Sequence, residues 1–204
     1  MRLASLGPIA AATLFSTISL LADTVVVAVA AQAPIAPTEG FDSQIGRNSA
    51  ALLAEGRKTF RYDTFGDETF WGDALQLHKA IAGAKNGGVG PGISPKMALQ
   101  VGLKVDAAAL PPAVVDAIKA GKVDLDDPAT TLVLMKANAV VGVTGVFDQS
   151  GKITSMGIQC AFCHSTVHNS FAPGIGKRLD GWPNRDLNVG AIVSAAPSYF
   201  PAKN

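Results

Sequence analysis

The chain has 204 residues, 48% of them hydrophobic and 16% charged, with 17 Lys+Arg against 16 Asp+Glu. That is long and apolar enough for one ordinary domain and excludes disorder over most of the length. The near-even charge balance gives none of the basic field a nucleic-acid binder needs, and two cysteines are too few for a disulfide scaffold.

Met1-Arg2 leads into an uncharged run from Leu3 to Ala22, a positive n-region followed by an apolar h-region. A second apolar run, Val25 to Ala31, ends in small residues, so cleavage is expected after Ala33 and residues 1–33 read as a signal peptide to the periplasm. The alternative is a retained membrane anchor, against which stand Gly7-Pro8 and Asp23 inside the run.

Residues 34–138 read as an N-terminal helical segment. After an extended lead-in over 34–45, a helix is expected from Asn48 to Phe60 and a second from Glu68 to Ile81. The second carries two apolar rows, Phe70/Ala74/Leu77/Ile81 and Trp71/Leu75/His78/Ala82, which put His78 on the core side. Residues 83–94 form a glycine-rich loop. It lacks the Gly-Lys-Ser/Thr ending of a phosphate cradle and has no strand leading in. Prolines then open three short helices, over 95–103, 111–120 and 128–137. Ala139–Phe147 and Lys152–Ile158, joined by Asp148-Gln149-Ser150-Gly151, give a β-hairpin signal.

Both cysteines lie in Cys160-Ala161-Phe162-Cys163-His164, the C-x-x-C-H attachment sequence of c-type haem. Two thiols three residues apart on a helical turn reach the two vinyl groups on one side of a porphyrin, and the next residue offers an imidazole to the iron. Cys160 and Cys163 are the expected thioether residues and His164 the proximal ligand. Three other readings compete with it: a structural disulfide, a thioredoxin-like redox pair, and zinc held by Cys160, Cys163, His164 and His168. The first leaves His164 without a role, the second wants a βαβ setting, and the third depends on a single local cluster.

The stretch Phe171 to Trp182 reads as a haem-pocket loop. In it the Pro173 carbonyl is the expected acceptor for the proximal imidazole N–H, and Lys177, Arg178, Trp182 and Arg185 are candidates to meet the propionates. The opposing reading is a solvated loop edge.

Over most of residues 34–204 the chain resembles a proteobacterial family of exported, cytochrome c-like proteins. The likeness rests on Phe60–Trp71, Leu75–His78, Gly102–Asp106, Gly157–Thr166 and Phe171–Gly190. It implies covalent haem c and electron transfer with redox partner proteins. Members of that family continue past this point, so it also implies that the chain is shortened at its C-terminus. Small c-type cytochromes usually take a Met far beyond the attachment site as second axial ligand, and no Met follows Met156. His78 is then the favoured sixth ligand. His168 and Met156 lie too close in sequence to His164, and Met97 and Met135 sit in apolar rows.

The expected fold is mainly α: a cytochrome c-like haem domain with its attachment region over 139–204, preceded by the helical segment, with a short β-hairpin before the motif. The expected function is periplasmic electron transfer. The rivals are an open-site haem enzyme or sensor and a shortened product unable to hold haem.

Overall fold

In the computed structural model, residues 40–197 are described. The expected signal peptide and cleavage site, and the lead-in up to residue 39, lie outside them. The first helix, α1 (Phe41–Tyr62), contains the expected span and begins seven residues before it. It buries no residue, and Ile45, Leu52 and Leu53 stay exposed.

The single helix expected from Glu68 to Ile81 is broken in two. Thr69–Ala74 is a π-helical turn, Gln76 adopts a left-handed φ of 53°, and α2 runs only from Leu77 to Ala82. Tertiary contacts account for the break. The Asp67 carboxylate accepts the Trp71 indole N–H at 3.0 Å and the Ile158 backbone N–H at 3.0 Å, tying the turn to a strand. Burial raises the pKa of Asp67 above the usual carboxylate value, while those two donors pull the other way. Gly72 lies so close to that strand that a Cβ there would be 3.3 Å from the Met156 nitrogen and would overlap Ser155. The periodicity nonetheless marks the inner face correctly over its second half, since Leu77, His78, Ile81 and Ala82 are all buried.

The glycine-rich loop closes on itself. The N–H groups of Ala84, Asn86, Gly87, Gly88 and Val89 all donate to carbonyls of the chain, which leaves none of these amides for a phosphate.

The three proline-led helices form as α3 (Pro95–Gln100), α4 (Pro112–Lys119) and α5 (Pro128–Lys136). Ser94 caps α3 by accepting from Met97 N, and Asp127 caps α5 by accepting from Ala129 N at 2.9 Å. Asp127→Ala removes that acceptor and is expected to cost about 1 kcal/mol, read as a lower urea midpoint at unchanged slope.

The predicted hairpin is β2 (Val143–Phe147) against β3 (Ile153–Ile158), antiparallel, with a register shift at Val146/Phe147. Asp148 organises its turn, taking Ser150 N, Ser150 Oγ and Lys152 N on one oxygen.

After the Cys motif the chain forms two strands, and the second of them, with the end of the first, occupies residues 171–180 of the stretch expected to be a pocket loop. They are β4 (Ser165–Ala172) and β5 (Ile175–Asp180), turning at Pro173-Gly174. With the two-residue β1 (Val105–Asp106) they make a three-stranded sheet of order β1-β5-β4, in which β1 runs parallel to β5. With 47% helix and 18% strand among the described residues, the fold is mixed α/β rather than mainly α. Between these elements lies a core that includes Leu77, Leu134, Met135, Val143, Met156, Phe162 and Ile175. The C-terminal α7 (Val189–Ser194) adds Ile192 to it.

Candidate functional site

The Cys motif is a single turn, α6 (Ala161–His164), with Cys160 at its N-terminal boundary in helical geometry. Phe162 N donates to Gln159 O and His164 N to Cys160 O. The turn has two faces. Ala161 is 0% and Phe162 4% exposed, while Cys160, Cys163 and His164 are all exposed. Both cysteines are free thiols.

Four anchors hold the turn. On its inner side, Gly142 packs directly on the Phe162 backbone and its carbonyl accepts from Gln159 N at 3.0 Å. The Gln159 side chain donates to the Thr144 hydroxyl on β2. On the C-terminal side, Gly181 N donates to His164 O at 2.8 Å and Asn184 N to Cys163 O at 2.9 Å, and the Asn184 amide reaches on to Gly102 O.

A charged cluster lies at the end of β4 next to the turn. Fully buried Ser165 donates to Asp180 Oδ1 at 3.0 Å, and the other Asp180 oxygen takes Arg61 Nε at 2.7 Å. Burial works against the Arg61 charge, but the hydrogen bond and charge of Asp180 prevail and raise its pKa. Arg178, its side chain 2% exposed, stands 3.9 Å from both Asp106 and Asp180, with Nε and Nη1 lacking hydrogen bonds. Burial lowers its pKa, and Asp106 offsets part of that.

The sequence-based candidates divide sharply. Cys160, Cys163 and His164 come together on the outer side of one turn, and Trp182, 63% exposed, stands beside them between the two backbone anchors at Gly181 and Asn184. Arg185, also exposed, follows on the same loop.

Pro173 and Arg178 do not join them. Pro173 sits at the hairpin turn at the far end of β4, whose pairing runs from Ser165 opposite Asp180 to Ala172 opposite Ile175, and at about 3.3 Å per residue along β5 that is roughly 20 Å from His164. Its carbonyl is therefore not the acceptor for this imidazole. Arg178 points into the protein between two carboxylates rather than toward the motif. Strand alternation explains this, because Arg178 pairs with inward-facing Val167 while exposed Lys177 pairs with exposed His168.

His78 is also remote. It borders a small cleft with Lys152, Ile153 and Thr154, at the end of β3 opposite the motif. A strand rises about 3.3 Å per residue, so Ile153 and Cys160 are roughly 20 Å apart. His78 is thus out of reach of an iron held by His164. Met97, Met135 and Met156 line an inner cavity with Phe162, and His168 lies on the exposed side of β4. Among the described residues, no cluster of three or more His, Cys, Asp or Glu is placed to hold a metal ion, which leaves the zinc reading without a ligand set.

Burial pushes the His78 pKa below the usual histidine value; the charge of Lys79 adds to this, while Asp73 and the hydrogen bond to the Gly72 backbone oppose it. A depressed native pKa stabilises the fold above the unfolded value of about 6.5, and that contribution is lost as pH falls through the native value. The denaturation midpoint of the wild type is accordingly expected to fall more steeply between pH 7.5 and 5.5 than that of His78→Gln. Equal slopes would show that His78 is not the group responsible.

Asn184, Gly181, Gly142 and Asp180, which fix the turn from outside the motif, were not singled out by sequence reasoning. Gly142 had a visible signal, a glycine between β-branched residues just before the hairpin. Gly181 and Asn184 hold the turn through backbone N–H groups, and Asp180 through partners far along the chain, none of which a local side-chain pattern announces.

In the comparisons with known proteins, no family model, curated protein or solved structure matches the chain.

Proposed function

We propose that α6 carries one covalently attached haem c and that the protein transfers electrons in the periplasm. Cys160 and Cys163 supply the thioether sulfurs and His164 the axial imidazole. The observation that carries this reading is the division of the turn: both thiols and the imidazole face solvent, while Ala161 and Phe162 lock the opposite side into the core. Attachment then needs no rearrangement of the interior. Trp182 offers an apolar wall beside the seat and Arg185 a cation for a propionate. When bound, the group supplies one-electron exchange between ferric and ferrous iron. The seat is open rather than enclosed, which suits electron delivery to a partner protein across an exposed edge.

A second reading, an open-site haem that binds small ligands, is favoured by one observation. His78 and the methionines lie away from the exposed side of α6. Carbon monoxide added to the reduced protein separates the two. A low-spin spectrum that does not shift selects the electron carrier, and a high-spin spectrum that shifts selects the open site.

The shared premise is tested by producing the full chain in cells equipped for haem attachment and weighing the exported product. A mass increase of one haem is expected. An unmodified mass with two titratable thiols would overturn both readings.

A further inference from the structure

Behind α6 lies a cavity of about 160 Å³, walled by Leu77, Met135, Met156, Phe162 and Ile192 among others. Two of its lining residues carry polar side-chain groups, and both are already engaged. The Thr131 hydroxyl donates to Ile93 O at 2.7 Å, and the Lys104 ammonium is bound to Asp186 at 2.5 Å. None of the buried side-chain atoms that lack a hydrogen-bond partner belongs to a lining residue. A water molecule inside would find no side chain free to satisfy it. Apolar spaces of this size take up a single aromatic ring or xenon.

We infer that this cavity is a binding site for a small molecule without hydrogen-bonding groups, of the size of one aromatic ring. Shape and chemistry both favour it. The wall carries the thioethers of Met97, Met135 and Met156, which adapt to an irregular guest and make favourable contacts with ring edges. A porphyrin, built from four pyrroles, does not enter a space that accommodates one ring, so this site is distinct from the haem seat. The two share Phe162, whose side chain lines the cavity while Cys160 and Cys163 on either side of it face solvent. The inference stands on the cavity alone and does not require that haem be attached.

Benzene titrated into the full chain is the direct probe, followed by thermal unfolding and by the methionine methyl signals in NMR. At ten times its dissociation constant benzene is expected to raise Tm by roughly 3 °C and to move the Met135 and Met156 methyl resonances, with phenol binding at least tenfold more weakly. Ala98→Leu, which places a larger side chain on the cavity wall, is expected to weaken benzene binding at least tenfold. Should that variant fail to fold, Ala195→Phe serves in its place, because Ala195 lines the same cavity from an exposed position. Methionine methyls that stay fixed under saturating benzene, or filled variants that bind as tightly as the wild type, would overturn the inference.

Discussion

Changing Cys160 and Cys163 together to alanine is expected to abolish covalent haem while leaving the polypeptide folded. The structural argument concerns what each side chain touches. Both are exposed, and both thiols are free. The hydrogen bonds that fix the turn run through backbone atoms of Cys160, Cys163 and His164, which the substitution keeps. Exposed substitutions of this kind change stability by no more than about 0.5 kcal/mol, a shift in Tm of roughly 2 °C for a chain of this length. Each single variant keeps one thioether and is expected to retain haem at reduced yield. Haem staining of a denaturing gel, paired with a thermal melt by circular dichroism, checks both halves. A double variant that still carries covalent haem would remove the motif from its assigned role, and one that unfolds would show that the thiols are structural.

Gly142→Ala is expected to produce a large loss of stability from a single methyl group. Gly142 has a φ of 80°, where an L-residue is strained, and an added Cβ would come within 2.6 Å of Phe162 Cβ and closer still to its Cα and nitrogen. Neither neighbour has room to yield, since Phe162 is 4% exposed and sits in the core. Strain and overlap together are expected to cost about 3 kcal/mol or more, seen as a fall in Tm of roughly 10 °C. Because Gly142 holds the inner side of α6, the variant is also expected to take up less haem. Gly121→Ala is the control: it also has positive φ, at 64°, but open space around it, so only the conformational part of the penalty remains. Equal losses in the two variants would mean that contact with Phe162 contributes nothing.

What could be read from the sequence was what local chemistry dictates. Proline at the first turn with Ser94 or Asp127 ahead of it located α3 and α5, because cap and fixed φ are properties of neighbouring residues. The Asp148–Gly151 turn located β2 and β3 for the same reason. The break in the helix expected around Trp71 escaped prediction because it is made by partners far along the chain, namely Ile158 on Asp67 and Ser155 on Gly72. The second hairpin was masked by a functional reading. Pro173-Gly174 is a turn signal in its own right, yet the neighbouring motif drew Phe171 to Trp182 into a pocket loop, while the strand before it, with Ser165 and Val167 buried, went unread. That Cys160, Cys163 and His164 share one side of a single turn was legible because their spacing is contained in five consecutive residues. Arg178 and His78 were misplaced because position on a face says nothing about which face meets the motif.

Haem staining of the purified, exported chain on a denaturing gel, with the haem quantified against protein, tests the central claim most directly. The account predicts one haem per chain that survives denaturation and migrates with the polypeptide. A chain recovered without covalent haem from cells competent to attach it, its Cys160 and Cys163 thiols both reactive, would contradict it.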